Sequence, residues 1–227
     1  MTNLTRRLFI GALPAAVAIA PSTAAAQTRR SQNGWTDMAP TVLPNDVVRL
    51  EAVDAPHLRV GDILFYRHYV AMDGRTFPYM KRVMALPGQR IAFSNGVPIL
   101  NGVSATSDYV TTEDLRFEAN GPTVHPGLLR HRETFAGRTY DTYHWNLERR
   151  IIRTRQIHAD GSETVHSRDI RNVEEIVVPD GHLFVAGDNR DDSEDSRWDG
   201  PIAITTVRCR AVAILSSRDP ARVGSEL

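Results

Sequence analysis

Short apolar runs separated by turn residues set the pattern along most of the chain. Thr41-Val42-Leu43-Pro44-Asn45-Asp46 offers a turn, with Val47-Val48-Arg49-Leu50 as a short strand behind it. Gly61-Asp62 turns the chain into Ile63-Leu64-Phe65-Tyr66, and a longer apolar run from Tyr79 to Leu86 stops at Pro87-Gly88. Arg90-Ile91-Ala92-Phe93 and Val97-Pro98-Ile99-Leu100 flank Asn95-Gly96, a hairpin signal because both turn residues tolerate positive φ. Further strands are expected at Ile151 to Ile157, Glu175 to Val178, His182 to Ala186 and Val207 to Leu215. Asp160-Gly161 should join the first of these to Glu163-Thr164-Val165. No segment holds a long 3.6-residue period and no repeat is visible, so the expected fold is mainly β.

Residues 103–172 break this rhythm. They are more polar, with Arg, His and Glu scattered among few apolar runs, and read as a smaller β-rich subdomain inserted into the core. His125, His131, His144, His158 and His166 lie there without metal-ligand spacing and are expected at the surface; neither a metal nor a cofactor is implied. Cys209, the lone cysteine, sits in an apolar strand and reads as a buried thiol.

The first 26 residues read as an export signal. Arg6 and Arg7 precede an apolar run from Leu8 to Ala20, and Ala24-Ala25-Ala26 offers a cleavage site. Thr5-Arg6-Arg7-Leu8-Phe9-Ile10 is similar to a twin-arginine signal. Retention of this segment as an N-terminal anchor is the alternative; Pro14 and Pro21 weaken it as a spanning helix.

Charge adds one exclusion and one oddity. With 27 basic and 27 acidic residues the chain balances, which gives no basis for a nucleic-acid partner. All of the basic residues but Lys81 are arginine. A guanidinium stays charged, whereas a buried amine can give up its proton and serve as a base. Only Lys81 can supply a neutral side-chain amine.

The chemistry-bearing stretch is Gly187-Asp188-Asn189-Arg190-Asp191-Asp192-Ser193-Glu194-Asp195-Ser196-Arg197. Its residues predict a tight loop held by Asp and Asn turn bonds and by local Asp–Arg pairs. A calcium loop would also be acidic, but the interleaved arginines would neutralise it. This stretch resembles the signature loop of type I signal peptidases, with Asp192 where Asn is usual. Lys81-Arg82-Val83-Met84-Ala85-Leu86-Pro87-Gly88 resembles that family's lysine box, Gly61-Asp62-Ile63-Leu64-Phe65 its strand box, and Met38-Ala39-Pro40-Thr41 the end of its serine box. The four motifs run in the family's order over residues 34–216.

The resemblance implies an antiparallel β core from residues 27–102 and 173–216, an inserted subdomain at 103–172 and a tail at 217–227. It also implies a site in which a deprotonated lysine activates a serine hydroxyl that attacks a peptide carbonyl. On that pattern Lys81 stands at the general-base position and Ser193 at the position that orients it. Arg82, Asp188, Asn189, Asp195 and Arg197 brace the site, the last pair by an ion pair. The implied partners are extended peptides or signal-peptide segments of exported proteins, with membrane-surface association. The implied location is the periplasm or the periplasmic face of the inner membrane.

One box departs from the family. The pattern Pro-Ser-x-Ser-Met-x-Pro-Thr is here Gly34-Trp35-Thr36-Asp37-Met38-Ala39-Pro40-Thr41, so Asp37 stands at the nucleophile position and Trp35 at the oxyanion-donor position. A carboxylate beside Lys81 favours the ammonium and removes the base. The Trp35 indole is expected to crowd the oxyanion site, and loss of one such donor costs about 10²–10³ in rate. Three rescues stay open. Thr36 could donate its hydroxyl if a bulge turned it round, since neighbours on an extended segment face opposite ways. Asp37 could itself attack, or it could activate water with Lys81 stabilising charge. The leading expectation is a catalytically impaired signal-peptidase-like protein that binds extended segments. The alternatives are an active endopeptidase with an altered Asp/Lys site and a structural subunit of an envelope complex.

Overall fold

In the computed structural model the described residues are 29–70, 74–118, 122–145, 151–157 and 163–227, with only the backbone described at 29, 70, 122, 151–157 and 163–168. The export signal at 1–26 and the Asp160-Gly161 turn lie outside them, as do the side chains of His158 and His166.

The strands run β1 (Arg29–Gln32), β2 (Val47–Glu51), β3 (Ile63–Val70), β4 (Arg75–Ala85), β5 (Arg90–Ser94), β6 (Val97–Leu100) and β7 (Val103–Ser104). Then come three long ones, β8 (Thr106–Glu118), β9 (Pro122–Phe135) and β10 (Arg138–Trp145), and the pair β11 (Ile151–Ile157) and β12 (Glu163–Asp169). The chain finishes with β13 (Val173–Val177), β14 (His182–Ala186), the single-turn α1 (Ser196–Asp199), β15 (Ile202–Ala203) and β16 (Val207–Ser216). The mainly β expectation holds, and the paired strands are antiparallel. No helix of the described residues is long and apolar enough to cross a membrane.

Seven strands form one sheet in the order β1-β2-β16-β3-β4-β14-β15, and β13-β5-β6-β7 form a second. β10-β9-β8 make a third sheet of their own. Its length exceeds what the polar sequence suggested, because β8 exposes most of its positions and β8 and β9 bury few apolar ones. Ladder hydrogen bonds need no apolar run, so such strands carry a weak signal.

β4 matters most for the site. From Met80 to Ala85 every residue is buried, so both faces of this strand are covered. Alternation then sends Lys81 to one face with Tyr79 and Val83, and Arg82 to the other with Met80 and Met84. β14 pairs with the same stretch, Val185 opposite Val83 and Ala186 opposite Arg82. The loop that follows at Gly187 therefore starts beside Lys81.

The segment before β2 is wedged between two apolar clusters. Met38, fully buried, packs with Val48, Ile63 and Met80 of the large sheet. Ala39, also fully buried, packs with Leu115 and Leu128 of β8 and β9 and Tyr143 of β10. Burying a Met of this size contributes about 1.5–3 kcal/mol, which pins the backbone that carries Asp37.

Candidate active site

The wedge brings two polar side chains together under Met38. Asp37, 16% exposed, makes an ion pair and hydrogen bond to the fully buried Lys81 Nζ through its Oδ2. The amine also lies 4.8 Å from the centre of the Tyr79 ring, its neighbour on the same strand face. Asp37 Oδ1 is buried and has no hydrogen-bond partner. The contact uses the Lys81 amine as a donor to a carboxylate.

The loop after β14 is built around Asp195. Its Oδ2 accepts from the Gly187 backbone N–H at 2.9 Å, from Ser193 Oγ at 2.7 Å and from Arg197 Nη2 at 2.8 Å. Its Oδ1 accepts from Arg197 Nε at 2.9 Å and from the Arg197 backbone N–H at 3.1 Å, capping α1. Burial works against the Asp195 charge, but the Arg197 guanidinium and these donors outweigh it and hold the carboxyl below its ordinary value. Ser193 spends its only hydroxyl proton on Asp195, which leaves its lone pairs to face other groups. Gly187 is required here: a Cβ would overlap Ser193 and the Asp37 carbonyl.

Arg82 and Asp188 brace the opposite face of β4. Arg82 Nε and Nη2 donate to the two Asp188 oxygens at 2.8 and 2.6 Å, and Thr41 Oγ1 donates to Asp188 at 2.5 Å. Burial disfavours the guanidinium charge, yet Asp188 more than offsets this and moves Arg82 up. Asn189 ties the loop to the Asp37 segment, its backbone N–H donating to Asp37 O at 3.0 Å and its Nδ2 to Thr36 O at 3.2 Å. Asp37 thus meets Lys81 on one face of β4, Arg82 meets Asp188 on the other, and Ser193 is held within the loop by Asp195, with Trp35 at the edge.

Four expectations need correction. Trp35 does not crowd a closed site: it is 66% exposed. Thr36 and Asp37 are not on an extended segment. Residues 37–41 form a turn, closed by Ala39 N–H to Thr36 O at 2.9 Å and Val42 N–H to Met38 O at 2.9 Å. The Thr36 hydroxyl instead donates to Asp192 Oδ2 at 3.2 Å. The loop's ion pairs are not all local, because Arg190 pairs with Glu133 of β9 and Asp191 with Arg171; only Asp195 and Arg197 pair within it. Nor are the three histidines of residues 103–172 whose side chains are described surface groups. His144 is buried, His125 and His131 are half-buried, and packing against Trp145 and against each other explains why. Burial, with the Arg190 charge, pushes His144 well below its ordinary value.

Sequence reading missed Glu133 and Glu194. Arg190, fully buried, gives both Nη groups to Glu133 at 2.6 and 2.7 Å. No local spacing could have announced a partner 57 positions away. The half-buried Glu194 carboxyl is pushed up by burial and then by Asp199, against the opposing charges of His68 and Lys81. Among the described residues, no group of three or more His, Cys, Asp or Glu gathers as metal ligands.

Comparison with known proteins adds the following. The family model described as signal peptidase, peptidase S26, matches residues 4–216. The signal peptidase I of Rickettsia conorii is 28% identical over 142 residues, 60% of this chain and 43% of that protein. That of Rickettsia akari is 30% identical over 140 residues, with the same shares. That of Pseudomonas fluorescens is 27% identical over 161 residues, 68% of this chain and 46% of its own length. The chain spans less than half the length of these relatives. A crystal structure of a signal peptidase I from Enterococcus faecalis V583 superposes with a TM-score of 0.33 at 19% identity, over 67% of this chain and 95% of that one.

Proposed function

The chain belongs to the signal peptidase family, peptidase S26, and on that premise we propose that it is a catalytically impaired member that holds extended, signal-peptide-like segments without cutting them. One observation carries this reading. The carboxylate of Asp37 occupies the amine of Lys81, at the two positions where the family's reaction needs a hydroxyl and a free base. The hydroxyl of Thr36 is committed to Asp192 and that of Ser193 to Asp195. An exposed Trp35 offers no buried donor for a developing oxyanion. The remainder of the site is assembled around Asp195, Arg197, Arg82 and Asp188, which suits retention of a groove that pairs with an extended peptide as an added strand. The place of action that fits is the periplasm or the periplasmic face of the inner membrane.

A second reading rests on a specific atom. Asp37 Oδ1 has no partner and could accept a proton from a water aimed at a bound carbonyl, with Lys81 stabilising charge. A peptide carrying an Ala-x-Ala site separates the two. Binding without cleavage by the parent, and cleavage gained in the Trp35→Ser, Asp37→Ser double variant, is the expected outcome. Cleavage by the parent that Asp37→Asn abolishes would establish the second reading and remove the first. Absence of binding by the parent and the double variant alike would leave a structural subunit as the better account.

A further inference from the structure

The face of β4 opposite Lys81 leads into a second recess. A cavity of about 400 Å³ lies between the Pro40–Thr41 turn, β9 and β10, and the 3₁₀ turn Pro220–Arg222. Five guanidinium groups line it, those of Arg82, Arg130, Arg132, Arg138 and Arg222, against two side-chain carboxylates, Asp141 and Glu226, with Leu227 beside them. They come from four separate parts of the chain, so no single run of charge explains their convergence.

The carboxylates that pair with these arginines leave donors over. Asp141 is shared: it accepts from Arg130 at 2.7 and 2.5 Å and from Arg132 at 2.8 and 3.2 Å. Arg138 makes one long contact, 3.3 Å to Asp62. Arg222 gives Nη2 to Thr41 O at 2.8 Å and to Asp46 at 3.0 Å, while its buried Nε has no partner. Asp46, Asp62 and Asp188 are buried, with exposures of 1%, 5% and 0%, and stand behind their arginines. Glu113, 3.6 Å from Arg130, takes the hydroxyl of Tyr143 on the far side. The wall therefore presents guanidinium edges with unspent N–H groups.

We propose that this recess is a binding site for a phosphate-type oxyanion, carried by a soluble phosphate or by a phospholipid headgroup. Planar forks converging on one space match the geometry of a tetrahedral oxyanion, and charge-assisted bonds of this kind are the stronger class. Arg82 and Thr41 tie the recess to the Asp188 brace, so an occupant sits directly behind the Asp37–Lys81 pair without touching it.

The test is a titration of the full chain with inorganic phosphate at ionic strength held constant with chloride. Binding to the folded state raises the melting temperature along a saturating curve. An Arg132→Gln, Arg138→Gln double variant, whose side chains are 56% and 39% exposed and whose fold is checked by circular dichroism, should bind phosphate at least about tenfold more weakly. Arg116→Gln, at an exposed arginine outside the recess, should match the parent. A second arm floats the chain with phosphatidylglycerol or phosphatidylcholine vesicles. Capture by the anionic vesicles that phosphate displaces and the double variant lacks identifies a headgroup; saturable phosphate binding without such capture identifies a soluble anion. A response that chloride reproduces, or that the double variant retains in full, overturns the proposal.

Discussion

Asp37 and Lys81 face each other because Met38 and Ala39 are driven into separate apolar clusters, leaving the residue before them at the edge of the core. Two other residues make the local energetics measurable. Asp195 balances the fully buried Arg197, and removing one member of such a pair leaves a charge unmet. Asp195→Asn is expected to lower unfolding stability by about 3–5 kcal/mol in a denaturant titration at neutral pH. Because the folded carboxyl lies below its unfolded value, this contribution is present above about pH 4 and fades as the pH falls through the folded value, so the variant and parent converge in acid. His144 behaves in the other sense. Its folded form resists protonation, so below about pH 6.5 the unfolded chain takes up the extra proton and stability falls, by up to about 1.4 kcal/mol per pH unit. His144→Gln should flatten that slope while keeping a partner for Thr142; an unchanged slope would assign the proton uptake elsewhere.

At the scale of elements, β9 and β10 serve the loop as much as their own sheet. Tyr143 of β10 pairs with Asn189 through Tyr143 N–H to Asp188 O at 2.9 Å and Arg190 N–H to Tyr143 O at 2.8 Å, and Glu133 of β9 holds Arg190. Glu133→Gln leaves Arg190 buried without its counter-charge, at a cost of about 3–5 kcal/mol. Amide exchange across 187–195 should then quicken well before that of β2 and β16; uniform exchange across both would show that the clamp is not local. The apolar runs announced β2 and β5 through alternating buried positions and β14 through a continuous apolar run, and they also marked β6, β11 and β16. The two strands flanking Asn95-Gly96 pair as expected, with Ser94 opposite Val97. β8 to β10 were legible only as β-rich, since their exposed faces are polar and their strength lies in non-local ladders. The family resemblance singled out Lys81, Asp195 and Arg197, and the Asp195–Arg197 ion pair it implies is present. The resemblance was silent on Glu133, on the turn at residues 37–41 and on the burial of His144, each of which is set by a partner distant in sequence.

The whole molecule holds the Asp37 turn between its largest sheet and the β8–β10 sheet, with the loop of Asp195 closing over it. In this arrangement the buried pairs of Arg82 with Asp188 and of Arg197 with Asp195 coexist with the Asp37–Lys81 contact. The shared wall between that pair and the arginine-lined recess makes the two sites separable by mutation: changes at Arg132 or Arg138 leave Asp37 untouched, and the reverse. The central claim is that the parent chain binds but does not cut. Its most direct test is mass spectrometry of an Ala-x-Ala signal peptide after prolonged incubation with the purified parent. The intact peptide is the predicted result, and a product cut after that site and absent with Asp37→Asn would contradict it.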